Sequence, residues 1–293
     1  MLLKNKRGFT IIELLVVIVL CGIILTAVLG LYLTSDKVFK QTRPISDVLE
    51  EARSAVATLD FVFSRWGVGV PCKNNNCTIE DFIPLCNGYP PTNPLCMNCI
   101  NPNGSLNSTT SCKGVAFYAN LLGHGFVVST NNGTANLISC RLSMDPNDNY
   151  YYIWQGEKVV NYNGTGKPPI YQLSELDPDG QDCIENFNGN PNAQSSALVN
   201  GTAGNYTLQP GNFITRVPYE VRLYPECKSD GCWLYLEKID MAKNNNVTTK
   251  LVKLKDLDSF KVSAQGRAIK VELEIQSQSK PEKVLKIERY FAR

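Results

Sequence analysis

One carboxylate stands inside a long apolar stretch. Residues 9–33 read FTIIELLVVIVLCGIILTAVLGLYL, and Glu13 is the single charge among them. A charged side chain at a bilayer centre costs about 2.5–3.5 kcal/mol, less near the interface. A plain membrane anchor has no need for that carboxylate. Immediately before the run lie Lys4, Lys6 and Arg7, followed by Gly8 and Phe9.

The thiols are the second chemistry-bearing set. The chain has 11 cysteines in 293 residues, a density that points to an oxidising compartment. Cys21 lies in the apolar run and reads as a small packing residue. The other ten are Cys72, Cys77, Cys86, Cys96, Cys99, Cys112, Cys140, Cys183, Cys227 and Cys232, an even number as a full disulfide set requires. Cys227 and Cys232 flank Lys-Ser-Asp-Gly, a turn between strand-like segments, so the spacing predicts a bridge across a hairpin. Cys72 with Cys77 is a weaker pairing, and the rest stay open. Cys96-Met-Asn-Cys99 also has the spacing of a redox or zinc site, the latter with Cys72 and Cys77, but a thioredoxin-like setting is missing. Structural disulfides are the favoured reading.

Asp177, Asp179, Asp182 and Glu185 form an acidic cluster. Its first reading is a solvated turn. A calcium loop is the alternative its oxygen donors allow, although the later positions depart from the EF-hand pattern. The one histidine, His124, sits between two glycines in a predicted turn. No Ser-His-Asp set or phosphate-binding glycine loop stands out, and the chain reads as a non-enzyme with no cofactor beyond that calcium option. Lys+Arg 29 against Asp+Glu 27 gives a net +2, which argues against a nucleic-acid partner.

The elements that carry these groups follow from periodicity. A helix over residues 9–33 is long enough to cross a hydrocarbon core of about 30 Å. The run exceeds the apolar segment of a cleaved secretory signal, and no small-x-small site follows it. The preceding basic residues keep the N-terminus cytoplasmic and send the bulk of the chain outward. From residue 45, Ile45, Val48, Leu49, Ala52, Val56, Leu59, Phe63 and Trp66 recur at helical spacing, so 34–66 reads as an amphipathic continuation. Pro44 predicts a kink or a restart, with Thr42 as its cap. Residues 67–210 carry 23 asparagines and 15 charged residues and read as a loop-rich, cysteine-containing insertion with short strands at 115–119, 125–129, 136–142 and 150–154. Residues 211–293 alternate with period two, as in Ile269, Val271, Leu273 and Ile275, and predict an antiparallel sheet with one face on a core.

Gly8-Phe9-Thr10-Ile11-Ile12-Glu13 and the unbroken run after it resemble the class III signal of type IV pilins and type II secretion pseudopilins. Four features stand in register: basic leader, Gly–aromatic junction, glutamate at fixed spacing, continuous apolar helix. The resemblance implies that a prepilin peptidase cuts between Gly8 and Phe9, removes the leader 1–8 and leaves an N-methylated Phe9. It implies that Glu13 meets the N-terminal amine of an adjacent subunit during assembly. Loss of Lys4, Lys6 and Arg7 leaves 26 basic against 27 acidic side chains. The implied fold is α+β, a long N-terminal transmembrane and amphipathic helix packed on an antiparallel sheet, here with a disulfide-stapled insertion. Leu59-Asp60-Phe61 with Arg65, and Leu254-Lys255-Asp256-Leu257-Asp258-Ser259-Phe260, are similar to the PilW/GspJ-like minor members. The implied partners are other pilin or pseudopilin subunits, the prepilin peptidase, the inner-membrane assembly platform and the membrane itself. The implied location is the inner membrane with a periplasmic head, then a pilus or pseudopilus at the cell surface. The leading expectation is a minor, tip-associated structural subunit. The alternative is a filament-borne adhesin or DNA-uptake module that uses 67–210.

Overall fold

The computed structural model describes residues 10–72, 85–86, 95–100, 111–131, 134–140, 150–173, 194–196, 198–201, 206–278 and 281–292. One α-helix, Ile11–Ser64, runs for 54 residues, about 81 Å at 1.5 Å per residue. Its sequence is apolar all round at first and amphipathic later, and the structure follows that change. Every residue from Ile11 to Thr34 is exposed, whereas Val48, Ala52, Ala55, Val56, Leu59, Val62 and Phe63 are buried.

The predicted restart at Pro44 does not occur. The helix is continuous through a buried Pro44, and Thr42 donates its hydroxyl to the Val38 carbonyl instead of capping a new helix. A proline inside a helix costs about 3 kcal/mol, because it has no N–H for the carbonyl four residues back and its ring crowds that carbonyl. The packed stretch beyond Val48 offsets the loss. The helix ends at Arg65, whose Nη1 donates to the Leu122 carbonyl at 2.9 Å. Trp66, 1% exposed, then forms an isolated bridge to Ala119.

The helix lies against strands Asn246–Leu254, Ala268–Gln276 and Val284–Ala292. These belong to a ten-stranded sheet. Its spatial order is Leu85–Cys86, Met97–Cys99, Val115–Ala119, Tyr219–Lys228, Gly231–Asp240, Asn246–Leu254, Ala268–Gln276, Phe260–Gln265 and Ser111–Cys112, with Val284–Ala292 on the other side of Ala268–Gln276. All pairings are antiparallel except Leu85–Cys86 with Met97–Cys99. Alternation decides which face is buried: Ile269, Val271, Leu273 and Ile275 are at most 1% exposed. They join Leu59, Phe63, Phe117, Val221 and Leu234 in one core beneath the helix.

An eight-stranded sheet stands beside it, built around His124–Asn131, Thr134–Cys140, Tyr150–Gln155 and Phe213–Arg216. Its own core gathers Val127, Tyr151, Ile153, Tyr171, Leu208 and Ile214. Sheet membership is interleaved along the chain. Val115–Ala119 pairs with Tyr219–Lys228 in the larger sheet, and Phe213–Arg216 pairs with His124–Asn131 and Tyr150–Gln155 in the smaller one.

Candidate functional site

The membrane end of the helix is held by Thr10 and Glu13. Thr10 has extended backbone, φ −81° and ψ 150°, and forms a capping box. The Glu13 N–H donates to Thr10 Oγ1 at 3.4 Å, and the Thr10 N–H donates back to Glu13 Oε2 at 2.9 Å. The Thr10 hydroxyl adds a bond to the same oxygen at 3.0 Å. The pattern satisfies helix-start N–H groups that no carbonyl can reach. It also turns the carboxylate back over the N-terminus, where the helix dipole favours negative charge. Among the described residues only Oε2 is engaged, so Oε1 remains able to accept from an incoming ammonium group. Gly8 and Phe9, the expected cleavage and methylation positions, lie outside the described residues.

The apolar half that follows suits hydrocarbon. An 18-residue window of it has a mean hydropathy of 3.1 and is 0% buried within the chain. Its two threonine hydroxyls are satisfied internally. Thr26 donates to the Gly22 carbonyl and Thr34 to the Gly30 carbonyl, each at 2.8 Å. Just beyond, Lys40 and Asp36 form an i,i+4 ion pair at 2.6 Å, the first charged pair along the helix. Cys21 is a free, exposed thiol in the apolar half.

The head is stapled. Cys86 is bonded to Cys96, Cys99 to Cys112 and Cys227 to Cys232, and Cys72 is also in a disulfide. Cys227 and Cys232 are directly opposite each other in the hairpin, where Gly231 takes φ +114° after the turn. Cys96 and Cys99 have different partners and no free thiolate, which removes the redox and zinc readings of that pair. Cys99 lies near one end of the larger sheet and Cys112 on its last strand at the other, so their bond closes the sheet upon itself. Cys77 and Cys183 lie outside the described residues, as does the side chain of Cys140.

Asp177, Asp179, Asp182 and Glu185 also lie outside the described residues. Among the described residues no group of three or more His, Cys, Asp or Glu side chains is placed to hold a metal ion. His124 opens strand His124–Asn131 rather than sitting in a turn, with its ring 5.4 Å from that of Phe213. Burial, and secondarily the Arg65 guanidinium, holds its pKa below the ordinary histidine value.

Sequence reasoning passed over Arg216 and Asp240, which pair between the two sheets. The one available signal was an arginine within an otherwise apolar strand, Phe-Ile-Thr-Arg.

The prokaryotic N-terminal methylation motif matches residues 3–29. An uncharacterized protein of Aquifex aeolicus (strain VF5) is 35% identical over 261 residues, which is 87% of this chain and 84% of the relative. No solved structure matches. Motif, exposed apolar helix and sheet-packed second half together fit a membrane-anchored subunit of the pilin type. The chain carries the prokaryotic N-terminal methylation motif, the type IV pilin and pseudopilin signal, and belongs to one family with the Aquifex protein.

Proposed function

We propose that this chain is a minor subunit at the tip of a type IV pilus or type II secretion pseudopilus, of the PilW/GspJ-like kind. Prepilin peptidase cuts between Gly8 and Phe9 and methylates the new amine. The mature subunit stands in the inner membrane through residues 9–33, with its N-terminus at the cytoplasmic side and its head in the periplasm. The assembly platform then moves it into the filament. Its role there is structural rather than catalytic. Residues 34–66 join the membrane half to the head, and the closed sheet and the stapled segments of 67–210 form that head.

The observation that carries this reading is Glu13. Its carboxylate is aimed at the helix start with one oxygen uncommitted among the described residues, one turn along the sequence from Phe9. The test is Glu13→Ala in the native host, with leader removal and filament incorporation measured separately. Cleavage should proceed while incorporation collapses. Mature protein that still carries residues 1–8 in cells with active peptidase, or normal incorporation of the variant, would overturn the reading.

A second reading is favoured by the smaller sheet. It has its own core, drawn mainly from residues 127–214, and so could serve as a filament-borne binding module for a surface or for DNA. In that case a strain lacking this chain keeps its filaments but loses attachment or uptake.

A further inference from the structure

Beyond the membrane half, the helix keeps one exposed apolar line. Between residues 34 and 50 the large exposed apolar side chains are Val38, Phe39, Ile45 and Leu49. Glu13, Leu31, Val38, Ile45, Leu49 and Val56 are separated by 18, 7, 7, 4 and 7 residues, all close to whole turns of a 3.6-residue helix. They therefore fall along one side of the cylinder. The line that starts at Glu13 runs into a cleft of about 390 Å³ between the helix and strand Val284–Ala292.

Leu49, Val56, Leu285 and Ile287 give the cleft apolar walls. Arg53, Asp60 and Arg289 also line it. Arg289 is opposite Val271 in the strand register, which puts it on the core face of the sheet, yet it is exposed. Neither arginine has an ion-pair partner among the described residues. Two guanidinium groups against one carboxylate leave the cleft a net cation with apolar sides. Among the described residues, strand Val284–Ala292 pairs with Ala268–Gln276 only, so this side of the sheet ends at the cleft.

We propose that this cleft seats the amphipathic half of the long helix of an adjacent filament subunit, which presents a carboxylate to Arg53 and Arg289. The inference rests on the filament reading above and adds to it where the neighbour sits on the head. The apolar line supplies continuity with the Glu13 side of the helix, and the excess of Arg53 and Arg289 over Asp60 supplies the charge preference. Self-pairing of strand Val284–Ala292 between two copies is the rival occupant. A dyad normal to the sheet would reverse the direction of one helix, so the two membrane halves would leave in opposite directions and could not share one membrane.

The test uses the full-length protein in its own cells. The double variant Arg53→Glu/Arg289→Glu should be cleaved and membrane-inserted like the parent, while its share of sheared filaments falls about tenfold, the effect of roughly 1.4 kcal/mol. Arg53→Ala/Arg289→Ala, a milder pair at exposed positions, should fall in the same direction. A photo-crosslinking residue at position 49 should join to a peptide from the long helix of a pilin-type subunit. Normal incorporation of both double variants while Glu13→Ala is excluded would overturn the cleft proposal and leave the filament reading standing. A crosslink to a head strand would overturn it as well. Normal incorporation of Glu13→Ala would instead remove the filament reading beneath it.

Discussion

Arg216 Nη2 lies 2.9 Å from Asp240 Oδ2, and the two side chains are 0% and 9% exposed. Arg216 ends a strand of the smaller sheet and Asp240 ends a strand of the larger one, so the pair joins the two. Asp240 Oδ1 also accepts from the Ala242 N–H at 2.8 Å, and the guanidinium lies 5.8 and 5.9 Å from the rings of Tyr150 and Tyr219.

Breaking this pair from one side should be severe. Asp240→Asn takes the carboxylate away from a buried guanidinium and is expected to destabilise the head by about 3–5 kcal/mol. Arg216→Met/Asp240→Asn removes the buried cation as well while keeping an acceptor for Ala242, and should recover part of that loss. Urea unfolding of the three proteins checks the order.

Glu13 has two duties that one substitution can separate. In Glu13→Gln the amide oxygen can still accept from the Thr10 N–H, so the helix start is kept. The negative charge is gone, so pairing with an incoming amine is lost. Helical content should stay at the parent value while filament incorporation falls about as far as in Glu13→Ala. Equal loss of helix in both variants would assign Glu13 to capping alone.

The long helix, its change from apolar to amphipathic and the alternating C-terminal strands were legible because each has a period that burial enforces. The predicted helical face named Val48, Ala52, Val56, Leu59, Phe63 and Trp66, and these are buried. Ile45 and Leu49 share their spacing but remain 45% and 41% exposed, whereas Val48 between them is 6% exposed. Periodicity finds an apolar stripe but not which part of it an intramolecular partner covers. Pro44 does not restart the helix for a related reason: a local penalty says nothing of the packing that offsets it. The two-sheet arrangement was not legible, since it depends on pairings such as Tyr219–Lys228 with Val115–Ala119, far apart in sequence. Nor was Arg216 with Asp240, whose strands give no sign that their ends meet.

The lone histidine supplies a pH test. His124 is held below its ordinary pKa of 6.5 in the fold, first by burial and then by Arg65. The unfolded chain takes up the proton first as pH falls, so it binds more protons than the native state in that window. Stability should therefore decline as pH drops below about 6.5, until the folded histidine also protonates. Melting temperatures measured from about pH 7.5 to about pH 5 should fall more for the parent than for His124→Asn.

The staples should differ in weight. Cys99 and Cys112 are 13 residues apart and hold opposite ends of a sheet, so Cys99→Ser/Cys112→Ser should cost about 2–4 kcal/mol. Cys227 and Cys232 are 5 apart in a hairpin whose strands pair from Tyr219↔Asp240 to Lys228↔Gly231. Their loss should cost less than about 2 kcal/mol, because the loop is short and already closed by backbone bonds. Denaturation of each serine pair in oxidising buffer measures the difference.

The disulfide closure also bears on traction. A filament subunit is pulled through its helix, and the chain enters the head immediately beyond Ser64. The stretches between Cys86 and Cys96 and between Cys99 and Cys112, separations of 10 and 13, cannot pay out as slack under load. At about 3.3–3.6 Å per extended residue, each bond withholds tens of ångströms from any stretched form. The segment of the head that follows the helix is thus shortened by two covalent closures.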